Sequence, residues 1–410
     1  MFNAACHPER REGSCVRARW SATGAAQKIP RSLRVLGMTI ALATSLRAQA
    51  PTQDYLVFVA SEGNDRISLV RFGPAGARVE RVSKIGRNPT EPVGPHGIAL
   101  SPDRRYYYVS TAHGFPNGEL WKFSTIGDSL KGTVTLGAFP ATLQLSPDGL
   151  YAYVVNFNLH GEMNPSSVSV VYVDEMAEVS RITTCTMPHG SRLNPQGTKH
   201  YSACMMDDAL VEIDTRTMTV SRHFMLRKGS EHGEEGPLHG GREQATEHAG
   251  HGMAPPKPRD VSCSPTWAQP SADGARVYVA CNKTSDVVEL DAASWTLTRR
   301  FPMGPGVYNL AVTRDGKLLI GTNKRGQSVS IVELATGKEI ALLPTKRKVA
   351  SGVVISPDDR YAFVTVEGIG SEPGTVEIID LRALRTVATV DVGQQAGGID
   401  FWKTESSGGR

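Results

Sequence analysis

The sequence predicts an all-β chain folded as a seven-bladed β-propeller of four-stranded antiparallel blades, and three observations predict it. One pattern returns six times: PHGIALSPDRRYYYVST (95–111), PATLQLSPDGLYAYVVN (140–156), PHGSRLNPQGTKHYSAC (188–204), PTWAQPSADGARVYVAC (265–281), GVYNLAVTRDGKLLIGT (306–322) and ASGVVISPDDRYAFVTV (350–366). The turn residue at its centre falls at 103, 148, 196, 273, 315 and 358, so the units repeat every 42 to 48 residues apart from one interval of 77. Finally, DYLVFVASEGNDRISLVRF (54–72) begins at a second strand, and the first strand it lacks is supplied at the other end of the chain by AGGIDFW (396–402).

Each element follows from its residues. A short apolar strand runs into a Pro-Asp-Gly type turn and out into a Tyr/Val-rich strand, which is hairpin chemistry. A third strand follows, as in ALVEID (209–214), DVVELD (286–291) or VEIID (376–380), and then a fourth, as in RTVATVDV (385–392). Closing the ring hides the sheet edges that an open stack would expose. The propeller is expected over 51–403, with blade 1 completed by the chain's two ends, an insertion at 227–261, and a disordered tail at 404–410.

Residues 1–50 read as a leader. Arg31-Ser32-Leu33-Arg34 is a basic lead, Val35 to Leu46 is an apolar run, and Ala48-Gln49-Ala50 fits a signal-peptidase site. Residues 1–30 would then precede the signal as a start called too early, and an Arg-rich transit peptide is the alternative. The run is too short to anchor the mature chain, so no membrane span is expected and the location is periplasmic or secreted. The leader holds eight Lys or Arg against two Asp or Glu, so the whole chain's +4 becomes −2 without it. The basic balance therefore offers nothing to nucleic acid. A monomer is expected.

The Ser-Pro-Asp-Gly turn followed by Tyr-Val-x-Asn resembles the YVTN-repeat propellers, kin to lactonase-type propellers and to the N-terminal propeller of nitrous oxide reductase. The resemblance covers 54–403. It implies the fold and leaves the activity open, because such blades serve many functions.

Blade topology assigns faces. The loops from fourth to first strands, and from second to third, share one end of the channel. His96 and His189 begin first strands, and His113 and His160 follow second strands. The insertion joins a fourth strand to a first, bringing His232, His239, His248, His251 and Met253 to the same face. Imidazole with thioether suits a soft metal such as copper. The nitrous oxide reductase resemblance implies an axial histidine copper site in kind. Reductase activity is not expected, because Ala141, Thr266, Tyr308 and Ser351 stand where His96 stands in other blades.

Cys185, Cys204, Cys263 and Cys281 remain once the leader is removed, in pairs 19 and 18 residues apart that each flank a hairpin. Two within-blade disulfides are the simpler reading in an oxidising compartment, and thiolate ligands are the alternative. No Gly-x-Ser-x-Gly, Walker lysine or His-Glu-x-x-His motif occurs. Carboxylates that follow second strands, Glu62 and Glu367 foremost with Asp207 and Asp208, are candidate acids or bases. The expected function is an exported binding or scaffold protein holding a protein or small-molecule ligand at this face, linked to copper. The alternative is a lactonase-like hydrolase of small cyclic esters.

Overall fold

A computed structural model describes residues 50–88, 90–113, 116–239 and 261–407. The leader, and His248, His251 and Met253 of the insertion, lie outside the described residues. Among the described residues no helix is long and apolar enough to cross a membrane.

The described chain forms seven antiparallel sheets. Blade 1 orders its strands from the axis outward as Ala396–Ser406, Gln53–Ser61, Arg66–Gly73 and Gly76–Lys84. Blades 2 to 7 begin with the innermost strands Pro95–Leu100, Pro140–Leu145, Pro188–Leu193, Pro265–Pro270, Val307–Val312 and Ala350–Ile355. Each innermost strand touches those of both neighbouring blades, including blade 7 against blade 1, so the ring is closed. The closing strand pairs from Gln53 opposite Ser406 to Ser61 opposite Ala396. It therefore runs three residues past 403, correcting the expected tail: Thr404, Glu405 and Ser406 are held opposite Tyr55, Asp54 and Gln53.

The repeated turn has one recurring device. Ser101 Oγ accepts the Tyr106 N–H at 3.0 Å and donates to Asp103 at 2.6 Å, so one hydroxyl locks both sides of the hairpin. Ser146 with Asp148, Ser271 with Asp273, Thr313 with Asp315 and Ser356 with Asp358 repeat it. Blade 4 substitutes Asn194, whose amide oxygen accepts the Thr198 and Lys199 N–H groups. Between blades the alternating strands bury aromatic and branched side chains. At the seam of blades 7 and 1, Tyr55 meets Tyr361 edge-on at 5.0 Å within a cluster that includes Phe72, Phe363 and Phe401. Each such buried side chain contributes about 1.5 to 3 kcal/mol, so the closing strand is held by packing as well as by its ladder.

The insertion begins differently from the expectation. His232–Glu235 forms a fifth strand on the outer edge of blade 4, with His232 opposite Met225. This part of the insertion follows the periphery and does not overhang the channel.

Both expected disulfides form, Cys185–Cys204 and Cys263–Cys281. The first is not confined to a blade, because Cys185 lies on the outermost strand of blade 3, Ala177–Thr186, and Cys204 ends the second strand of blade 4, Lys199–Cys204. Their placement is explained by the repeat. In blade 3 the second strand ends in Asn156, whose amide oxygen accepts the N–H of Gly137, three residues before the innermost strand. Cys204 and Cys281 occupy the Asn156 position, and a covalent bond replaces that hydrogen-bonded tether.

Candidate functional site at the channel mouth

In all seven blades the residue preceding the innermost strand has a left-handed backbone. These residues are Gly94, Phe139, Met187, Ser264, Gly306, Val349 and Gln395. Only two are glycine, and the other five each accept a cost of about 1 kcal/mol or more where the chain turns into the channel. This kink sets the second residue of each inner strand in a ring around the mouth: His96, Ala141, His189, Thr266, Tyr308, Ser351 and Gly397.

Glu62 is the hub of one side. It starts the short 3-10 turn Glu62–Asn64, and its N–H donates to Gln395 O at 3.1 Å, so the closing strand fixes its position. Its carboxylate meets His96 Nδ1 at 2.6 Å and His113 Nε2 at 3.2 Å. Asp65 then accepts the Val93 and Gly94 N–H groups at 3.0 and 2.9 Å, pinning the segment that delivers His96. Burial alone would raise the Glu62 carboxyl, but hydrogen bonds from His113 and His96, with their charges, hold it far below the usual carboxylate range. The same hydrogen bond raises His113.

His189 faces different surroundings. Its Nδ1 lies 2.9 Å from the Thr266 carbonyl, which can only accept, so Nδ1 carries the hydrogen. Nε2 is then an acceptor and takes the Tyr308 O–H at 2.8 Å. Burial pushes His189 down to about 3, so it stays neutral, and burial also raises the Tyr308 phenol. Beyond Tyr308, Lys324 Nζ sits 4.2 Å from the ring centroid and 2.9 Å from Glu367. Burial works against the ammonium, but Tyr308 and Glu367 more than offset it and hold it above its ordinary value. His96 and His189 rings approach to 6.3 Å, edge to face. Both line, with Tyr308, Trp267 and Arg192, a cavity of about 50 Å³ at the channel entrance.

The structure thus brings together His96, His113, His189, Glu62 and Glu367 at one mouth. Other candidates lie elsewhere. His160 is exposed and its ring centroid lies 5.6 Å from that of Phe139, the ring that His96 meets at 5.4 Å. His232 is exposed on the fifth strand of blade 4, roughly 19 Å outward from the blade's innermost strand at ~4.8 Å per strand, and bonds Ser230 O and Glu234. His239 bonds Asp207, whose carboxylate also accepts the Thr186 N–H. Asp208 accepts N–H groups of Cys263 and Ser264, so both aspartates hold backbone in place. Among the described residues no group of three or more His, Cys, Asp or Glu is arranged to hold a metal ion.

Sequence reasoning missed Tyr308 and Lys324. Lys324 follows a second strand, Leu318–Asn323, and so satisfied the same face rule that selected His113 and Glu367. Tyr308 occupies the His96 position of its blade.

No family model and no curated protein matches the chain. Solved structures do match its shape. The periplasmic gluconolactonase of Pseudomonas aeruginosa aligns with a TM-score of 0.62 at 19% identity, covering 85% of this chain and 99% of that one. A chain of Kuenenia stuttgartiensis hydrazine synthase aligns at 0.58 and 21% identity, over 77% and 92%. A functionally unknown protein from Desulfotomaculum acetoxidans aligns at 0.61 and 14%, over 85% and 98%. What these three share with this chain is the architecture, a β-propeller found in a gluconolactonase and in proteins of other kinds.

Proposed function

We propose that the chain is a lactonase-like hydrolase of small cyclic esters acting at the channel mouth. The observation that carries this reading is the bridging of His96 and His113 by Glu62, across the entrance from Tyr308 and Lys324. With His96 Nδ1–H donated to Glu62, its Nε2 is the free lone pair and the carboxylate stabilises the imidazolium that forms, as in other carboxylate–histidine dyads.

A water molecule gives its proton to His96 Nε2 while its oxygen attacks the lactone carbonyl carbon. Negative charge then develops on the carbonyl oxygen, where the Lys324 ammonium supplies positive charge and N–H donors beyond the one taken by Glu367. The ring C–O bond breaks and the imidazolium returns its proton to the departing alkoxide, giving the hydroxy acid. Tyr308, its O–H held by His189, keeps oxygen lone pairs to accept from a substrate hydroxyl. The shape shared with a periplasmic gluconolactonase supports the reading, and two disulfides fit an extracytoplasmic compartment.

Turnover of a lactone panel, glucono-δ-lactone and γ-butyrolactone included, by a pH-stat assay tests it. Hydrolysis above the spontaneous rate that is lost in Glu62→Gln is expected. A wild-type protein with no turnover across the panel returns the chain to the binding or scaffold reading.

A further inference from the structure

The other half of the channel carries a second constellation that the proposed hydrolysis does not use. It opens toward the hairpin turns as a cavity of about 400 Å³. Arg192, from the innermost strand of blade 4, lines it and also lines the floor of the smaller cavity beneath His96. A guanidinium has five N–H donors, and here a single hydrogen bond is made, to the Ser191 carbonyl at 2.8 Å. Its face lies over Trp267 at 4.3 Å. No carboxylate stands within ion-pair distance of it among the described residues. Burial lowers it to about 10, so it is charged at neutral pH.

Arg192 is half-buried in the channel wall, and a charge even partly withdrawn from water without an ion-pair partner is costly, which is why buried arginines are usually paired. Asp400 lines the same cavity and attracts the guanidinium across it without an ion-pair contact: its carboxylate accepts the Leu100 N–H at 2.8 Å and the Phe401 N–H at 2.7 Å, and burial raises its carboxyl. Beside Arg192, Gln144 accepts the Leu193 N–H through its amide oxygen, which leaves its NH2 group to donate into the cavity. Ile98, Leu143, Leu310, Val353 and Ile399 supply an apolar band in a mostly polar wall, with Gln269, Arg314, Ser356, Asp359 and Asp400.

We propose that this half of the channel binds a small organic carboxylate, with Arg192 taking both carboxylate oxygens, the Gln144 amide donating a further hydrogen bond, and the hydrocarbon part lying against the apolar band. One guanidinium offers one charge and a planar fork, which match a carboxylate. The other cation lining the cavity, Arg314, lies at the turn beside Asp359, whose carboxylate accepts the Arg314 N–H at 2.8 Å, so a dianionic phosphate would meet the Asp359 and Asp400 carboxylates along with the two guanidinium groups. The site is independent of the hydrolase reading.

Isothermal titration of the full chain with butyrate and, separately, with inorganic phosphate tests it. Butyrate is expected to bind at one site and at least tenfold more weakly in Arg192→Met, a substitution that keeps a flexible apolar stem against Trp267. Equal affinity in the variant, no binding by the wild type, or phosphate binding as tightly as butyrate overturns the proposal. Should Arg192→Met fail to fold, crystals of the wild type soaked in 4-bromobutyrate decide instead. An anomalous bromine peak inside the cavity supports the site, and a peak found only elsewhere, or none, refutes it.

Discussion

Two pairs of histidines in this propeller show one side chain put to opposite uses. His96 and His113 stand partly exposed at the mouth, each turned onto the Glu62 carboxylate. His189 and His200 are buried at 2% and 0% exposure, and burial pushes both down to about 3. His200 stacks on Tyr153 at 5.3 Å with neither ring nitrogen hydrogen-bonded among the described residues, and its neighbour Arg192 further disfavours the charged form. The difference lies in the carboxylate rather than the imidazole: without Glu62 the outer pair would be two ordinary surface histidines, and the proposed hydrolysis would lose its base.

The largest effect that could break this contrast is catalytic. Glu62→Gln should keep the fold and one hydrogen bond yet lower lactone kcat by about 10²- to 10⁴-fold, since the imidazolium loses its counter-charge. His96→Gln should do the same, and a steady-state assay that found either variant within threefold of wild type would end the assignment of roles.

The buried pair predicts an acid-labile fold. An unfolded histidine takes a proton as pH falls below its ordinary 6.5, whereas His189 and His200 resist until about 3. Their contribution is complete above pH 6.5 and lost as pH falls toward 3, about 3 kcal/mol for each by pH 4. His200→Phe, which keeps the stack on Tyr153, should therefore flatten the fall of Tm between pH 6.5 and 4. Parallel curves for variant and wild type would contradict the buried neutral state. His113, raised by Glu62, works in the other sense: its contribution is full below 6.5 and fades as pH rises through its higher folded pKa.

The disulfides supply a comparable step. Cys185→Ser with Cys204→Ser should cost about 3 kcal/mol by urea titration. Because the bond anchors the segment leading into His189, it should also lower turnover more than the corresponding pair at Cys263 and Cys281. The smallest effect concerns copper. His189 has both nitrogens engaged, and His96 and His113 each spend one on Glu62. Any copper taken up should thus follow residues 240–260: a variant without them should lose it, while His96→Gln should change the copper titration little.

Much of this was legible in the chain because the repeat dictates it. The Ser/Thr-x-Asp turn announces each hairpin through a local hydrogen bond, and the orphan second strand at Tyr55 required a partner from the other end. Cysteines at the Asn156 position could be paired from spacing, although not placed across two blades, since the bend of the Ala177–Thr186 strand toward blade 4 is a tertiary outcome. The mouth was legible by face and illegible by contact. Blade topology said that Glu62, His96 and His113 share an end, but their 2.6 and 3.2 Å bonds depend on how two blades pack. The course of the insertion failed for a related reason: topology named the loop it occupies and could not foresee that His232–Glu235 would pair along the outer edge of blade 4.

The closure of blade 1 has one more consequence. Ser407 Oγ donates to the Thr52 carbonyl at 2.9 Å, so the two ends of the described ring touch. A circle whose ends meet has no privileged starting point. The chain could be cut between blades 4 and 5, where the sequence already interrupts its rhythm, and rejoined by a short linker from 407 to 50. All seven sheets would keep their partners, and blade 1 would change from a seam stitched by two termini into an ordinary blade, its strands consecutive like those of the other six.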